Sequence, residues 1–255
     1  MPVDRELYSK SITKDGAPNW PCPRCSGGHF RLVPESLRHS WTADTQSASS
    51  EDAFEASWVE QRFVSTLKCD NPKCGEVAVV AGTGKVDERP DEHLSQMLYE
   101  DVFYPKYFLP SPRLIDIPAS CPTEVVEELE QAFVASWGDY ASAGNRVRAA
   151  VERLLDALRV HRQTVNGKGK RELITLHSRI TKIRGKYHAA HDSLLAIKWL
   201  GNAGSHSGLL TREAVFDALD IFESVLVGLY SKHPSVIRRL VSSVNARKGP
   251  ARKRQ

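Results

Sequence analysis

The chain has 255 residues, of which 41% are hydrophobic and 26% are charged, and its formal net charge is +4. This length suits one large domain or two smaller ones, and the composition supports a buried core. No run approaches about 18 consecutive apolar residues, and residues 1–10 lack the apolar stretch of a signal peptide. We therefore expect a cytoplasmic protein without a membrane span, whose cysteines stay reduced.

The positive charge is concentrated at the C-terminal end. Residues 247–255 carry five positive side chains, so residues 1–246 have a net charge of −1. We expect this tail to be disordered and able to bind the phosphates of RNA or DNA. A solubilising terminus explains the same composition equally well. The cations concerned are Arg247, Lys248, Arg252, Lys253 and Arg254.

Four of the five cysteines form two knuckle motifs, Cys-x2-Cys at Cys22 and Cys25 and Cys-x4-Cys at Cys69 and Cys74. Each motif has a proline inside the turn and a glycine after it, which is typical of a tight metal-binding loop. Because four thiolates complete the tetrahedral coordination of Zn²⁺, we predict a Zn²⁺ site formed by these residues. The alternative is four unrelated reduced thiols, and the 43 residues between the knuckles exceed the usual spacing. The fifth cysteine, Cys121, is predicted to be a small buried side chain.

The residues around the knuckles favour an antiparallel sheet. Residues 29–33 can form a short strand, residues 58–67 are rich in β-branched and aromatic side chains, and residues 76–85 can form the returning strand. Residues 42–53 are polar and are predicted to form a loop. The sequence Gly-Thr-Gly-Lys at 82–85 lacks the spacing of a phosphate-binding loop, so a plain hairpin turn is expected. The order of strand, knuckle and strand is that of a zinc ribbon.

After the ribbon, the pattern changes twice. Residues 90–122 hold six prolines with aromatic residues between them, which indicates an extended segment packed across the next domain. From Thr123 the apolar spacing is helical and predicts five helices, with Thr123 and Thr211 as caps of the first and last, and a short basic helix at 236–244. The predicted fold is α+β, with a zinc ribbon at 1–89, a connecting segment at 90–122, a helical bundle at 123–245 and a basic tail at 246–255.

A polar pair lies near the end of the fourth predicted helix. Asn202 and His206 are four residues apart, so they share one face of a continuing helix, and Gly201 allows another helix to approach closely. Gly204 is expected to end this helix. The pair can form a site for a nucleotide or an RNA phosphate. It can also simply cap the backbone carbonyls of a packed helix end.

In combination these features resemble the family called domain of unknown function 4145, whose members are bacterial proteins that stand alone or are fused to restriction-enzyme subunits. The resemblance rests on the second knuckle at 69–75, the Pro-rich approach at 104–105 and 117–118, and the segments 148–152 and 200–206, and it spans residues 58–230. That family is similar to the HEPN helical domains, many of which are RNA-cleaving toxins or defence proteins. The resemblance therefore implies a HEPN-like bundle and a role in phage defence or restriction.

The resemblance also bears on catalysis. Active HEPN ribonucleases share an Arg-x(4–6)-His motif, often with Asn directly after the Arg. Asn202 and His206 match that Asn and His, but Gly201 stands where the Arg would position the phosphate and stabilise its developing charge. The leading hypothesis is a non-catalytic zinc-binding protein that binds nucleic acid, a protein partner or a second copy of itself. The alternatives are a metal-independent ribonuclease, with His206 as general base and Asn202 orienting the phosphate, and a structural adaptor.

Overall fold

The structure is a computed structural model that describes residues 2–25, 27–91, 96–207 and 210–231, without the side chains of 91, 96 and 201–207. An antiparallel sheet forms its first part and helices form most of its second part. The predicted α+β class is confirmed. Among the described residues, no helix is both long and apolar enough to cross a membrane.

Five strands form the N-terminal sheet. They are β1 (Phe30–Leu32), β2 (Arg38–Trp41), β3 (Glu60–Cys69), β4 (Val77–Asp91) and β5 (Gln96–Leu109). Across the sheet the order is β1-β3-β4-β5, β2 also pairs with β3, and all these pairings are antiparallel. Along β3, buried and exposed residues alternate, so one face of the sheet lies on the core and the other faces solvent.

Two predictions for this part were wrong. Residues 42–53 are not all loop, because the Thr42 hydroxyl accepts a hydrogen bond from the Thr45 backbone N–H and caps a short helix, α1 (Ala43–Ala48). The Gly-Thr-Gly-Lys sequence is not a hairpin turn but lies inside β4, where Gly82 is next to a register shift. A β-carbon at Gly82 would collide with the carbonyl oxygen of Tyr104, so glycine allows the backbones to come close.

The segment predicted as a connector, 90–122, is partly a strand. β5 takes residues 96–109 into the sheet, which therefore continues to Leu109, beyond the predicted boundary at residue 89. Pro105 is tolerated because it lies beside a bulge, where Lys106 is the extra residue, on a strand at the edge of the sheet. The proline-rich composition excludes a helix here but not an edge strand.

The helical part agrees with the apolar spacing of the sequence. Its helices are α2 (Thr123–Ala135), α3 (Tyr140–Ala157), α4 (Leu176–Lys182), α5 (His188–Ser207) and α6 (Arg212–Tyr230). The hydroxyl of Thr211 caps α6 by accepting a hydrogen bond from the Ala214 N–H at 3.2 Å, as predicted. A small hairpin of β6 (Gln163–Val165) and β7 (Arg171–Leu173) separates α3 from α4.

Two helix ends differ from the prediction. Pro122, not Thr123, is the N-cap of α2, and no side chain caps that end. The backbone of α5 continues through residue 204 to Ser207, because packing against α6 supports a helix whose local sequence favours termination. The helix predicted at 236–244 lies outside the described residues.

The sheet and the helices share one continuous hydrophobic core. At its centre, the ring of Trp20 lies 5.3 Å from that of Phe108 and 5.4 Å from that of Trp137, centroid to centroid. The indole N–H of Trp137 donates to the Ser111 hydroxyl at 2.9 Å, which satisfies its polar edge within the core. The N-terminal segment, the sheet and the helical part are therefore stabilised together.

We predict that Gly138, between α2 and α3, is needed for this packing. A β-carbon at Gly138 would lie 2.5 Å from the carbonyl oxygen of Lys106. Gly138→Ala should lower the free energy of unfolding by roughly 1–3 kcal/mol, because the overpacked contact forces the backbone to shift. Denaturant unfolding measures the change.

Gly228→Ala is the matched control. Gly228 lies in α6 with no neighbouring atom within 4 Å of an added β-carbon. The substitution should raise the free energy of unfolding by about 0.5–1 kcal/mol, because alanine is the better helix former. A Gly138→Ala variant as stable as the parent would contradict the close contact between helices and sheet.

Candidate metal centre

The pairing of β1 with β3 brings the two knuckles together. The first knuckle precedes β1, the second follows β3, and Phe30 is the register partner of Cys69. Just beyond this pair, the His29 N–H donates to the Asp70 carboxylate at 2.8 Å, and the Asp70 N–H donates to the His29 carbonyl at 2.9 Å. The 43 residues between the knuckles include β1, β2 and most of β3, and both β1 and β2 pair with β3 in the sheet. The long spacing along the sequence therefore does not separate the cysteines in space.

The four predicted ligands converge. The sulfur atoms of Cys22, Cys25, Cys69 and Cys74 all lie within 4.8 Å of one another. Cys22 Sγ is 3.7 Å from Cys74 Sγ, and Cys25 Sγ is 3.7 Å from Cys69 Sγ. Zinc–sulfur bonds of about 2.3 Å in a tetrahedron place the sulfur atoms roughly 3.8 Å apart. These separations are too long for disulfides and fit four ligands around one metal ion.

The four thiols lie in unequal surroundings. A hydrogen bond from the Gly27 backbone lowers the pKa of Cys25 to about 6, whereas burial raises the pKa of Cys69 to about 12. Burial also raises the pKa of Cys22. Four thiolates at this spacing repel one another, and a divalent cation at the centre offsets that repulsion. A set of four cysteines therefore suits a structural metal ion, with no ligand position left for water or substrate.

Surrounding polar groups hold the knuckles in shape. The Asp70 carboxylate accepts a hydrogen bond from Arg31 Nε at 3.0 Å, and the His29 N–H lowers the pKa of Asp70. In the second knuckle, the Asn71 carbonyl accepts from the Cys74 N–H at 2.9 Å, and Gly75 takes the left-handed backbone conformation with φ of 62°. Such outer contacts orient the ligands before a metal binds.

The structure does not describe the side chains of the other predicted site residues, and the remaining cysteine is not part of the cluster. Asn202 and His206 belong to α5, which packs against α3, but their side chains lie outside the described part of the chain. The five tail cations at 247–254 also lie outside it. Cys121 is half-buried and separate from the four-sulfur cluster, and burial raises its pKa to about 11.

A groove that the sequence did not indicate opens beside the first knuckle. It has a volume of about 1120 Å³ and lies between the end of β5 and the helices α2 and α3. Four cationic and four acidic side chains line it, including the pairs Arg24–Glu76 at 3.5 Å and Arg113–Glu130 at 3.2 Å. Since its charges balance, the groove favours neither anions nor cations. Its lining comes from distant segments with no common motif, so no sequence signal could have located it.

We predict that Gly28 is required for the four sulfur atoms to converge. A β-carbon at Gly28 would lie 2.6 Å from Cys69 Sγ and 2.8 Å from Asn71 Cβ. Gly28→Ala should therefore weaken Zn²⁺ binding by roughly 10–100-fold, the usual effect of disturbing the shell around metal ligands. Competition with a chromogenic chelator measures the affinity.

Gly27→Ala provides the control for that measurement. The nearest atom to an added β-carbon at Gly27 is the Cys25 carbonyl oxygen at 3.7 Å, an ordinary contact. This variant should bind Zn²⁺ like the parent. Equal affinities for all three proteins would argue against the close packing of Gly28 on the Cys69 thiol.

Comparisons with known proteins divide the chain in the same place as the fold. Residues 10–108 match the family model Domain of unknown function (DUF8608), and residues 128–248 match Domain of unknown function (DUF4145). No curated protein and no solved structure has a significant match. The first match contains both knuckles and nearly all of the sheet, so the second knuckle, which contributed to the resemblance, lies in a segment matched by a different family model. The second match supports the DUF4145 family for the helical part of this chain.

Proposed function

We propose that this chain is a zinc-binding protein in which the metal ion is structural and the helical part binds a partner. The convergence of four cysteine sulfur atoms carries the proposal. Catalytic zinc sites have three protein ligands and an open position, whereas four thiolates fill the coordination sphere. The metal ion would therefore stabilise the sheet rather than activate water.

The position of the site explains what the metal ion would stabilise. Cys22 follows Trp20 by two residues, and the Trp20 side chain is fully buried in the core shared by the sheet and the helices. Cys69 ends β3, the central strand to which β1, β2 and β4 all pair. A metal ion bound by both cysteines would join the N-terminal segment to the centre of the sheet. Its loss should destabilise the shared core as well as the knuckles.

The proposed partner role belongs to the helical part. The match to DUF4145 supports the resemblance inferred from the residues. The role in restriction or phage defence that this resemblance implies is part of the proposal. The leading partner class is nucleic acid, with a protein or a second copy of this chain as the alternatives. In this proposal the metal centre makes the protein rigid, and recognition takes place on the helices.

We predict about one zinc ion per chain in the purified protein. Cys69→Ser removes a buried ligand and should abolish zinc binding and lower the melting temperature, because metal affinity contributes directly to folding. Cys121→Ser should leave the zinc content unchanged, since Cys121 is separate from the cluster. Elemental analysis also distinguishes zinc from iron, which four sulfur ligands accept as well. A fully folded protein that contains no zinc would refute the proposal.

The ribonuclease alternative makes a separate prediction. We expect the parent protein not to cleave RNA, because Gly201 lacks the guanidinium group that would stabilise the phosphate. Gly201→Arg restores that group and should produce cleavage if the site is a degenerate nuclease. Incubation with labelled RNA, followed by gel electrophoresis, measures RNA cleavage by the parent and by the Gly201→Arg variant. Cleavage by the parent that disappears in His206→Ala would instead favour the ribonuclease.

A further inference from the structure

Charge is strongly segregated along the chain. Residues 159–199 contain ten Lys and Arg but only two Asp and Glu, a net charge of +8. Residues 1–158 contain sixteen Lys and Arg but twenty-five Asp and Glu, a net charge of −9. The nearly neutral charge of residues 1–246 is therefore the sum of an acidic part, which contains the sheet, and a basic part that spans the β6–β7 hairpin, α4 and most of α5.

Most of these ten cations are exposed, and we call seven of the exposed ones the basic surface. Among the described residues, none of these seven cations has a carboxylate within ion-pair distance. The hydrogen bond from His191 and, less strongly, the charge of Arg184 lower the pKa of Asp192, and the other six charges are available to an external anion. The two acids of the segment are engaged locally: Glu172 accepts a hydrogen bond from Asn166 at 2.6 Å, and Asp192 contacts His191 at 2.6 Å. The basic surface comprises Arg159, Lys168, Lys170, Arg171, Lys182, Arg184 and Lys186.

The tip of the hairpin has a defined shape. The Asn166 side chain accepts hydrogen bonds from the backbone N–H groups of Lys168 at 2.9 Å and Lys170 at 3.0 Å. Gly169, between them, has a φ of 74°, which a glycine adopts readily. The turn therefore holds two exposed lysines close together, with Arg171 next to them at the start of β7.

Hydrogen bonds from two arginines connect the base of the hairpin to the helices α3 and α4. Arg179 is 2% exposed and donates to the Asp156 carboxylate at 2.6 Å and to the Val160 carbonyl at 2.9 Å. Arg162, at the start of the hairpin, donates to the same carboxylate at 2.9 Å. Hydrogen bonds from Arg162 and Arg179 hold the pKa of Asp156 below its ordinary value. These two ion pairs engage two of the ten cations and connect the base of the hairpin to α3 and α4.

An exposed indole on α5 lies next to the first turn of α4, in the same basic segment of the chain. Trp199 is 58% exposed, and Lys198 Nζ lies 3.7 Å from its ring centroid. Its ring is 6.4 Å from that of His177, in the first turn of α4, which begins directly after the hairpin. An exposed aromatic ring with a lysine against it, in a segment rich in exposed cations, has the features with which proteins stack unpaired bases while neutralising phosphates.

From this arrangement we infer that the basic surface and Trp199 bind nucleic acid, with the cations on the phosphodiester backbone and the indole stacked on an unpaired base. The inference deepens the partner role proposed above and does not depend on the metal ion. It also places recognition on the folded helical part rather than on the tail at 247–255. An acidic protein or an anionic membrane would need the cations but has no base to stack on the indole.

The first experiment measures binding of the full chain to short fluorescent RNA and DNA single strands and to duplex DNA. The variant Lys168→Gln/Lys170→Gln/Arg171→Gln should bind roughly 10–100-fold more weakly at about 0.1 M salt. The slope of log K against log salt concentration should be less negative by roughly two for single strands and roughly three for duplex DNA, because three phosphate contacts are lost.

The control triple variant is Lys14→Gln/Arg38→Gln/Lys68→Gln. These three cations are also exposed and, within the described chain, have no carboxylate partner, but they lie in the acidic part. The net charge changes equally in both triple variants, so a general charge effect would weaken binding equally. We expect the control to bind like the parent. Equal losses in the two variants would overturn the inference.

Trp199→Ala tests the stacking role and distinguishes single strands from duplex. It should weaken binding of single strands about tenfold, while the salt dependence and the duplex affinity stay the same. Trp199→Phe should recover most of the loss, which a merely destabilised helix would not do. An unchanged affinity of Trp199→Ala for single strands would remove the indole from the site.

Zinc content, measured on every preparation, separates this inference from the structural-zinc proposal. A protein with zinc that binds none of the three probes would overturn the nucleic-acid inference alone. A protein without zinc that binds them would overturn the zinc proposal alone. Binding to phosphatidylserine vesicles but to no nucleic acid would assign the basic surface to a membrane and also refute the inference.

Discussion

The contact among Trp20, Phe108 and Trp137 determines how the rest of the molecule is arranged, with ring centroids between 5.0 and 5.4 Å apart. The three rings come from the N-terminal segment, the last strand of the sheet and the turn between α2 and α3. Trp20 and Phe108 are fully buried, so separating the parts would expose large apolar surfaces to water. Through this shared core, a metal ion bound by the four cysteines would also influence the helical part, whose described residues add no ligand to the cluster.

The metal centre depends on the same arrangement through its first knuckle. Trp20 fixes the chain just before Cys22, and the pairing of β1 with β3 fixes Cys69 beside it. Next to these paired strands, the Asp70 carboxylate accepts a hydrogen bond from the His29 N–H. Gly28, which has no β-carbon, leaves space for Cys69 Sγ. The site is thus assembled by long-range contacts of a stable fold, and a bound ion would add to their stability by bridging two distant segments.

The two parts of the molecule also divide its charge. The sheet and the first helices form an acidic body, and most of the basic surface lies on the hairpin, α4 and the connection between α4 and α5. An acidic body repels a polyanion, so a nucleic acid that meets this protein should approach only from the basic side. The ion pair between the buried Arg179 and the half-buried Asp156 connects α4 to α3 on that side. The four-cysteine cluster and the basic surface therefore lie in different parts of the chain, which share one core.

Local patterns in the sequence were sufficient for the α+β class, the five described helices and the choice of the four cysteines that cluster, because knuckle spacing and apolar periodicity are local properties of the chain. They failed where neighbours in space override local preference. Pro105 enters a strand because a bulge at the sheet edge accommodates it, and the glycine pair at 82 and 84 lies inside β4 because β5 comes close. The register that brings Cys69 beside the first knuckle, the continuous core and the contact of Trp199 with His177 were decided only by the tertiary structure, since each joins residues whose separation along the chain has no fixed relation to their distance in space.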